Sequence, residues 1–177
     1  MDFQELALKR RSIRKFKEKE VPRDVLDGIL EAGRWAPSGL NLQPWKFIAV
    51  DDRQLKARVR AVYDRARDRM GLYKQDSSFI DRGSLVLACC DSSKPVAELS
   101  TMLACENMLL QAADSGLGSL IMTAPMDGIG KREFMEILGI ESPFDPLALL
   151  AFGYADEDPE PKPRKDRGDV ISYNRFK

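Results

Sequence analysis

Apolar residues recur at helical spacing in five segments of the chain and form short, nearly unbroken runs in four others. Residues 2–10, 52–69, 96–115 and 130–138 are predicted helices, and a further helix follows Pro22 and ends before Pro37. The short apolar runs predict strands at residues 45–50, 84–90, 119–122 and 146–154. The run from Ser84 to Cys90 has almost no polar interruption, which predicts a strand buried on both faces.

Two of these segments have unusual surfaces. The helix over residues 96–115 is apolar almost all round and leaves only a thin polar line at Asn107, Gln111 and Asp114. Such a helix belongs in the centre of a domain or in a subunit interface. Residues 52–69 are highly charged with few large apolar positions, so we predict an exposed helix. Residues 70–83 have no clear period and are predicted to form a mobile loop or lid.

Composition narrows the classes of function. The 177 residues fit a single domain, and 28 basic and 28 acidic side chains give no net charge that would attract nucleic acid or membranes. The absence of histidine excludes Ser-His-Asp triads and histidine-based zinc sites. Cys89, Cys90 and Cys105 lie in apolar segments and are predicted to be buried thiols. With no signal-peptide pattern and no long apolar run, the sequence predicts a soluble, cytoplasmic protein.

The stretch from Ala36 to Trp45 carries more polar groups than a helix-to-strand connection needs. It contains two prolines and Gly39, with Ser38, Asn41 and Gln43 between them. These side chains supply the hydroxyl and amide groups that a planar heteroaromatic ligand requires. Taken alone, however, the stretch is more typical of a plain helix stop and strand start.

A basic stretch near the N-terminus is the second candidate for a ligand site. Five of the seven residues from Lys9 to Lys15 are cations. They fit a solvated basic face at a helix C-terminus, or a pocket in which guanidinium groups and the Ser12 hydroxyl bind an anion. The spacing does not choose between these alternatives.

The last 22 residues have the composition of a disordered tail, because charged residues and prolines dominate from Asp156 to Arg167. Apolar residues follow at Val170, Ile171, Tyr173 and Phe176, and such residues usually dock on a folded surface. The Gly116-Leu117-Gly118 motif is weak evidence for a dinucleotide loop, because it precedes a predicted strand instead of following one.

Four short motifs follow one another along the chain. They are Arg10-Arg11-Ser12-Ile13-Arg14, Ala36-Pro37-Ser38-Gly39-Leu40-Asn41-Leu42-Gln43-Pro44-Trp45, Gly116-Leu117-Gly118-Ser119 and Pro161-Lys162-Pro163-Arg164. In this order and spacing, from near the N-terminus to about Tyr173, the chain resembles the FMN-dependent nitroreductase family. Each motif is modest alone, and the series makes the resemblance specific.

The resemblance implies an α+β fold, a nitroreductase-like sandwich whose mainly antiparallel central sheet is flanked by helices. It implies an intertwined homodimer with FMN at the subunit interface. Residues 1–155 would form the FMN-binding domain, and residues 156–177 would form a C-terminal extension that wraps the partner subunit. The apolar helix at 96–115 resembles the central interface helix of the family.

Site residues follow from the resemblance position by position. Those matching the FMN phosphate and ribityl contacts are Arg10, Arg11 and Ser12, with Lys162 and Arg164 closing over the phosphate. Arg14 matches the cation beside the flavin N1 and O2 edge. The residues that match the wall of the FMN site contributed by the other subunit are Pro37, Ser38, Gly39 and Asn41.

The segment that faces flavin N5 and O4 matches Thr123 and Ala124. Better-known members have an acidic residue and a glycine at these two places, so the chain departs from the family pattern. Pro125 has no N–H, and a hydrogen bond to N5 would have to come from a neighbouring amide.

The implied activity is that of an NAD(P)H oxidoreductase. NADH or NADPH delivers hydride to flavin N5 in a ping-pong scheme, and a nitroaromatic, quinone or similar small-molecule acceptor is reduced next. No protein acid or base is required, which agrees with the absence of histidine. We therefore expect no catalytic side chain and no metal, with Arg14 giving electrostatic support to the flavin.

Besides a flavin-binding protein without turnover, two alternatives remain. One is a specialised flavin enzyme of the same fold, for reductive dehalogenation or flavin fragmentation, in which residues 70–83, including Tyr73 and Lys74, form a lid over the flavin. The other is a non-catalytic module that binds nucleic acid or another anionic partner through residues 9–15. Zero net charge and the lack of interleaved aromatic residues weigh against the second alternative.

Overall fold

A four-stranded sheet forms the centre of the protein in a computed structural model that describes residues 2–72, 76–126 and 128–176. The strands are β1 (Trp45–Val50), β2 (Ser84–Asp91), β3 (Gly118–Met122) and β4 (Phe144–Gly153). Their order is β1-β2-β4-β3, and all three pairings are antiparallel. The mainly antiparallel sheet that the resemblance implied is confirmed, and β1 and β3 form its opposite edges.

Helices cover both faces of this sheet. They are α1 (Phe3–Lys9), α2 (Arg23–Arg34), α3 (Arg53–Arg69), α4 (Phe79–Arg82), α5 (Ala97–Asp114), α6 (Gly128–Leu138) and α7 (Arg167–Val170), and short 3-10 turns span Gly39–Asn41 and Ala124–Met126. The α2 and α5 helices pack against each other on one face, while α3 and α6 pack on the other. The arrangement is a three-layer α+β sandwich, as predicted.

The β2 strand separates two apolar cores. Leu85, Leu87 and Cys89 face the core beneath α3 and α6, whereas Val86 and Ala88 face the core beneath α2 and α5. All of these side chains are buried. This confirms the prediction that β2 is covered on both faces, and it explains why its sequence contains no polar alternation.

The helix predicted over residues 52–69 is present, but the prediction that it is exposed holds only for its charged face. One face of α3 is buried in the core through Val59, Val62, Tyr63 and Ala66. These few apolar positions have the i, i+3, i+4, i+7 spacing of a helix face, so they are sufficient to dock an otherwise charged helix.

Part of the predicted lid belongs to the core. Ser77, Phe79 and Ile80 are buried, and the Phe79 ring makes edge-to-face contacts with Phe16 and Tyr63 at centroid distances of 6.4 and 5.9 Å. The lid prediction is therefore wrong for residues 77–83. The two residues on which it centred, Tyr73 and Lys74, lie outside the described residues.

Several apolar side chains have no cover from their own chain. They include Phe3 and Leu8 on α1, Leu99 and Leu103 on α5, and Val170, Tyr173 and Phe176 in the C-terminal segment, with exposed fractions from 50 to 102%. The predicted docking of the C-terminal apolar residues does not occur on the same chain. No helix in the described ranges is long and apolar enough to cross a lipid bilayer.

Candidate functional site

The basic stretch is attached to the edge of the sheet. Ser12 forms a parallel β-bridge with Ser119 of β3, and the Ile13 N–H donates to the Ser119 carbonyl at 2.9 Å. The Ile13 side chain packs directly on Gly118, where a Cβ atom would lie 2.8 Å from it. Gly118 therefore allows the basic stretch to approach β3 closely, which gives the predicted glycine motif a packing role.

Two guanidinium groups in this stretch lack an acidic partner within residues 2–72, 76–126 and 128–176. The Arg11 guanidinium donates to the carbonyls of Leu8 and Arg10, and Arg14 Nη1 donates to the Ser12 carbonyl at 3.2 Å. Arg10 has only a long contact with the Glu106 carboxylate, 3.7 Å from Nε. The cluster of Arg10, Arg11 and Arg14 thus retains positive charge that an anion could neutralise.

The beginning of the C-terminal segment is held beside this cluster. The Glu157 carboxylate accepts hydrogen bonds from the backbone N–H groups of Arg14 and Lys15, and the Asp156 N–H donates to the Lys15 carbonyl at 2.9 Å. Lys162 and Arg164 are exposed further along the segment, where the Arg164 guanidinium donates to the Lys162 carbonyl at 3.1 Å. Five residues span at most about 17 Å, so Lys162 remains within reach of the cluster.

The polar loop before β1 is a compact turn held by its own hydrogen bonds. The Asn41 N–H donates to the Ser38 carbonyl at 3.0 Å, and the Gln43 N–H donates to Ser38 Oγ at 2.9 Å. Pro37 and Asn41 are exposed, while Ser38 and Gly39 are half-buried. The loop therefore presents Pro37 and the Asn41 amide to the surface.

This loop is also strained. Leu40, Asn41 and Gln43 have positive φ angles of 53, 54 and 47°. Non-glycine residues seldom adopt this conformation, and clusters of such residues are typical of functional sites. Sequence patterns gave no sign of this backbone geometry.

Thr123 and Ala124 lie where β3 ends. Thr123 is exposed, and its carbonyl accepts a hydrogen bond from the Met126 N–H at 2.9 Å, which closes the turn. Ala124 is half-buried within the turn. Ser12 pairs with β3 near the beginning of the strand, whereas Thr123 and Ala124 follow the end of the same strand.

The structure separates the predicted site residues into two groups. Ser12 and Thr123 adjoin β3, whereas the loop from Pro37 to Asn41 leads into β1 at the opposite edge. Three strand spacings separate these edges, which is about 14 Å. Within one chain, the two groups of predicted site residues therefore lie at opposite edges of the sheet.

A wide cleft in the described part of the chain lies elsewhere. It has a volume of about 1300 Å³, and none of the predicted site residues line it. Two of its basic side chains are already engaged: Arg23 Nη1 contacts Asp51 Oδ2 at 2.6 Å, and Lys56 Nζ donates to the Gly83 carbonyl at 2.8 Å. Burial lowers the pKa of Lys56. Volume alone therefore does not identify the functional site.

Two residues beside the polar loop were not predicted. Ser100 of α5 is 3% exposed, and its Oγ accepts a hydrogen bond from the Gly39 N–H at 3.4 Å. Val96, which precedes α5, packs on Gly39. The position of a serine in a largely apolar helix could have indicated Ser100, whereas nothing in the sequence distinguished Val96.

The structure is an α+β sandwich with a cluster of cationic side chains at one edge of the sheet. The model of the nitroreductase family matches residues 7–154, which is most of the chain. The chain therefore belongs to the nitroreductase family.

The names of individual relatives refer to different enzymatic activities. The chain is 32% identical to an iodotyrosine deiodinase of Thermotoga neapolitana over 97% of both chains. It is 29% identical to a putative NADH dehydrogenase/NAD(P)H nitroreductase of Methanothermobacter thermautotrophicus, over 90% of this chain and 80% of the relative.

A solved structure of oxidized iodotyrosine deiodinase bound to FMN and 3-iodo-L-tyrosine is similar to the whole chain. Its TM-score is 0.85 at 29% identity, with 98% of this chain and 99% of that chain covered. The similarity extends across both helical layers and the sheet, so it supports the fold independently of the sequence motifs.

Proposed function

We propose that the protein is an FMN-dependent oxidoreductase that uses NADH or NADPH to reduce nitroaromatic, quinone or similar small-molecule acceptors. The observation that carries the proposal is the pair of guanidinium groups, Arg11 and Arg14, that lack an acidic partner beside Ser12 in the described ranges. FMN bound at this site would supply the hydride-accepting and hydride-donating chemistry. The protein's part is to bind, orient and electrostatically support it.

The donor set suits FMN. Guanidinium groups bind phosphate through charge-assisted hydrogen bonds, so Arg10, Arg11 and the Ser12 hydroxyl are assigned to the phosphate and ribityl end. Arg14 is assigned to the ring, because a fixed cation favours the negative charge that a reduced flavin carries. Lys162 and Arg164 add two exposed cations on a segment whose start is pinned to Arg14 by Glu157.

Thr123 and Ala124 are assigned to the edge of the flavin ring that exchanges hydride. Neither side chain titrates near neutral pH, so this edge would be recognised by backbone groups and the Thr123 hydroxyl. Because no histidine is available, acceptor reduction would draw its proton from solvent.

We further propose that the functional unit is a homodimer. The polar loop with Ser38, Gly39 and Asn41 lies at the opposite sheet edge from the basic cluster, so one FMN site would combine the cluster of one chain with the loop of its partner. Leu99 and Leu103 on α5 are 68 and 50% exposed, which suits burial against a second copy. The C-terminal segment would extend over the partner subunit.

Subunit complementation tests this arrangement. One variant carries R11A and R14A, and the other carries S38A and N41A, so that neither forms an intact site alone. After subunit exchange, random mixing should restore FMN binding to about a quarter of the sites, because half of the dimers are mixed and one site in each is intact. If each site were built within one chain, mixing would restore none.

The redox function has a direct test. Purified protein reconstituted with FMN should have a flavin absorbance spectrum that NADH or NADPH bleaches under anaerobic conditions, and the spectrum should return when a nitroaromatic or a quinone is added. Free FMN at the same concentration is the control. Protein that cannot be reconstituted with FMN would refute the proposal.

Reductive deiodination is the second candidate function. It is favoured by the 32% identity to an iodotyrosine deiodinase over nearly the entire length of both chains. In this reaction two electrons and a proton replace the carbon–iodine bond with a carbon–hydrogen bond and release iodide. Reduced holoenzyme should then convert 3-iodo-L-tyrosine into tyrosine and iodide, which chromatography detects. Reduction of nitroaromatics without tyrosine formation would favour the first candidate.

A further inference from the structure

Val96, the residue immediately before α5, has a left-handed backbone conformation with φ 51° and ψ 26°. A β-branched residue is a genuine outlier in this region, because its side chain crowds the backbone. Such a conformation persists only where the surroundings hold it in place. Val96 therefore has a role that outweighs its local strain.

The side chain of Val96 is placed against the polar loop. A Cβ atom on Gly39 would lie 2.7 Å from Val96 Cγ2, so the valine methyl group occupies the space that any side chain at position 39 would need. The Val96 carbonyl also accepts a hydrogen bond from the Ser100 N–H at 3.0 Å, and Ser100 Oγ in turn accepts one from the Gly39 N–H at 3.4 Å. Gly39, Val96 and Ser100 thus form a closed set of contacts.

This set attaches the middle of the loop to α5. At the two ends of the loop, the Ala36 N–H donates to the Gly33 carbonyl at 3.1 Å, and the Pro44 carbonyl accepts a hydrogen bond from the Asp91 N–H at 2.7 Å, where the loop enters β1. Between them, the hydrogen bonds of Ser38, Asn41 and Gln43 are made within the loop. The contact with Val96 therefore determines how far the loop projects from α5.

We propose that Val96 is a positioning residue for the cofactor loop: through Gly39 it fixes the places of Ser38 and Asn41 against the FMN of the partner subunit. This inference rests on the proposed function. The strain at Leu40 and Asn41 means that the loop can relax if its support is removed, and relaxation would withdraw both polar side chains from the cofactor.

If the role of Val96 were only to start helix α5, its substitution would change the stability of the protein without a specific effect on the affinity for FMN. A positioning role predicts instead that substitutions at positions 39 and 96 are coupled. Gly39→Ala introduces a clash with Val96 Cγ2, and Val96→Ala removes the atom that clashes. Residues in direct contact commonly show such non-additive effects.

The test is a double-mutant cycle on the full-length protein with wild type, G39A, V96A and G39A/V96A. FMN dissociation constants are measured by the quenching of FMN fluorescence, and melting temperatures are measured without FMN. The G39A variant should bind FMN about tenfold more weakly or worse, and the double variant should recover most of the loss. Gly28→Ala is the matched control, because no atom lies within 4 Å of a Cβ at that position.

The possible outcomes distinguish the positioning role of Val96 from the proposed function of the protein. If the wild type binds FMN and G39A binds equally well, or V96A does not rescue G39A, the positioning role is refuted while the proposed function stands. If the melting temperatures recover in the double variant but the FMN affinity does not, the contact is merely structural. A wild-type protein that fails to bind FMN would refute the proposed function and this inference together.

Discussion

Ser12 and Ser119 pair as a parallel β-bridge, so the basic stretch continues the sheet beyond its β3 edge. Next to the bridge, successive side chains point to opposite faces, as in a strand. Ile13 points inward and is 5% exposed, while the Arg14 side chain on its far side is exposed. A rigid sheet edge thus holds the cations that we assign to the cofactor, which reduces the conformational entropy lost on binding.

Removal of the Ser119 hydroxyl should stabilise the protein. Ser119 is 1% exposed, and its Oγ has no hydrogen-bond partner within the described ranges. A buried unpaired polar group costs about 1 to 3 kcal/mol, so S119A should raise the free energy of unfolding by about 1 kcal/mol in a urea titration. Thr101, whose buried Oγ1 also lacks a partner there, should behave similarly as T101V.

Ser77 provides the control for this prediction. It is equally buried, but its Oγ accepts a hydrogen bond from Arg60 Nε at 2.9 Å and contacts the Asp64 carboxylate at 3.1 Å. The S77A variant should therefore lose stability. Equal effects of S77A and S119A would contradict the assignment of an unpartnered hydroxyl to Ser119.

Charge removal in the basic cluster should weaken FMN binding. A hydrogen bond to a charged group contributes about 1.5 to 3 kcal/mol, so R11A should raise the FMN dissociation constant by about tenfold or more. R14A should chiefly lower the reduction potential of the bound flavin, because it removes a cation from beside the ring. Fluorescence titration and redox titration measure the two effects.

Arg58→Ala is the matched control, since Arg58 is an exposed cation on α3, in the other helical layer. It removes the same charge from the protein without touching the predicted site. If R58A and R11A weakened FMN binding equally, the effect would come from net charge and the assignment of the cluster would be wrong.

An acidic substitution on α5 should separate the subunits. Leu103 is half exposed, and a charge buried in an interface without a partner is strongly unfavourable. The L103D variant should sediment as a monomer and lose FMN, whereas I129D, on the α6 side of the sheet, should do neither. Ile129 is a suitable control because it is 47% exposed. A monomeric L103D that remained saturated with FMN would contradict the composite site.

The three thiols should be unreactive in the folded protein. Burial raises the pKa of Cys89 and Cys105 from 9.0 to about 12, and it also raises that of Cys90. A thiol-specific reagent at pH 8 should therefore modify them only after unfolding in urea. Rapid modification of the folded protein would contradict their burial.

The same shifts give a direction to the pH dependence of stability. Below pH 9.0 the thiols are protonated in both the folded and the unfolded states. As the pH rises from 9.0 towards 12, the unfolded thiols ionise while the folded ones remain protonated, so the thiol contribution to stability is lost. Urea titrations across this range, with C105A as the comparison, would measure it.

Much of the fold could be predicted from the sequence. The apolar run of β2 and the all-round apolarity of α5 indicated a strand and a helix at the centre, and both are there. The α3 helix was misjudged because its charged residues outnumber the four that dock it, although their spacing carries the signal. The antiparallel character of the sheet came from the family resemblance, whereas the strand order was not predicted, since periodicity does not specify which strands are neighbours.

The candidate site was predictable in its chemistry but not in its geometry. The guanidinium and amide groups could be located from residue types, whereas their separation onto β3 and β1 depends on strand order. The left-handed conformations of Leu40 and Val96 could not be predicted, because leucine and valine seldom adopt them and only the tertiary packing imposes them.

The Arg11 and Arg14 guanidinium groups, which lack an acidic partner in the described ranges, also have a thermodynamic consequence for the cofactor-free protein. Five of the seven residues from Lys9 to Lys15 are cations, so anion binding there would relieve repulsion between like charges. Folding and anion binding are then linked, and inorganic phosphate or sulfate should raise the melting temperature of cofactor-free protein. The same anions should slow FMN loading, so the choice of buffer would govern how much cofactor the protein acquires.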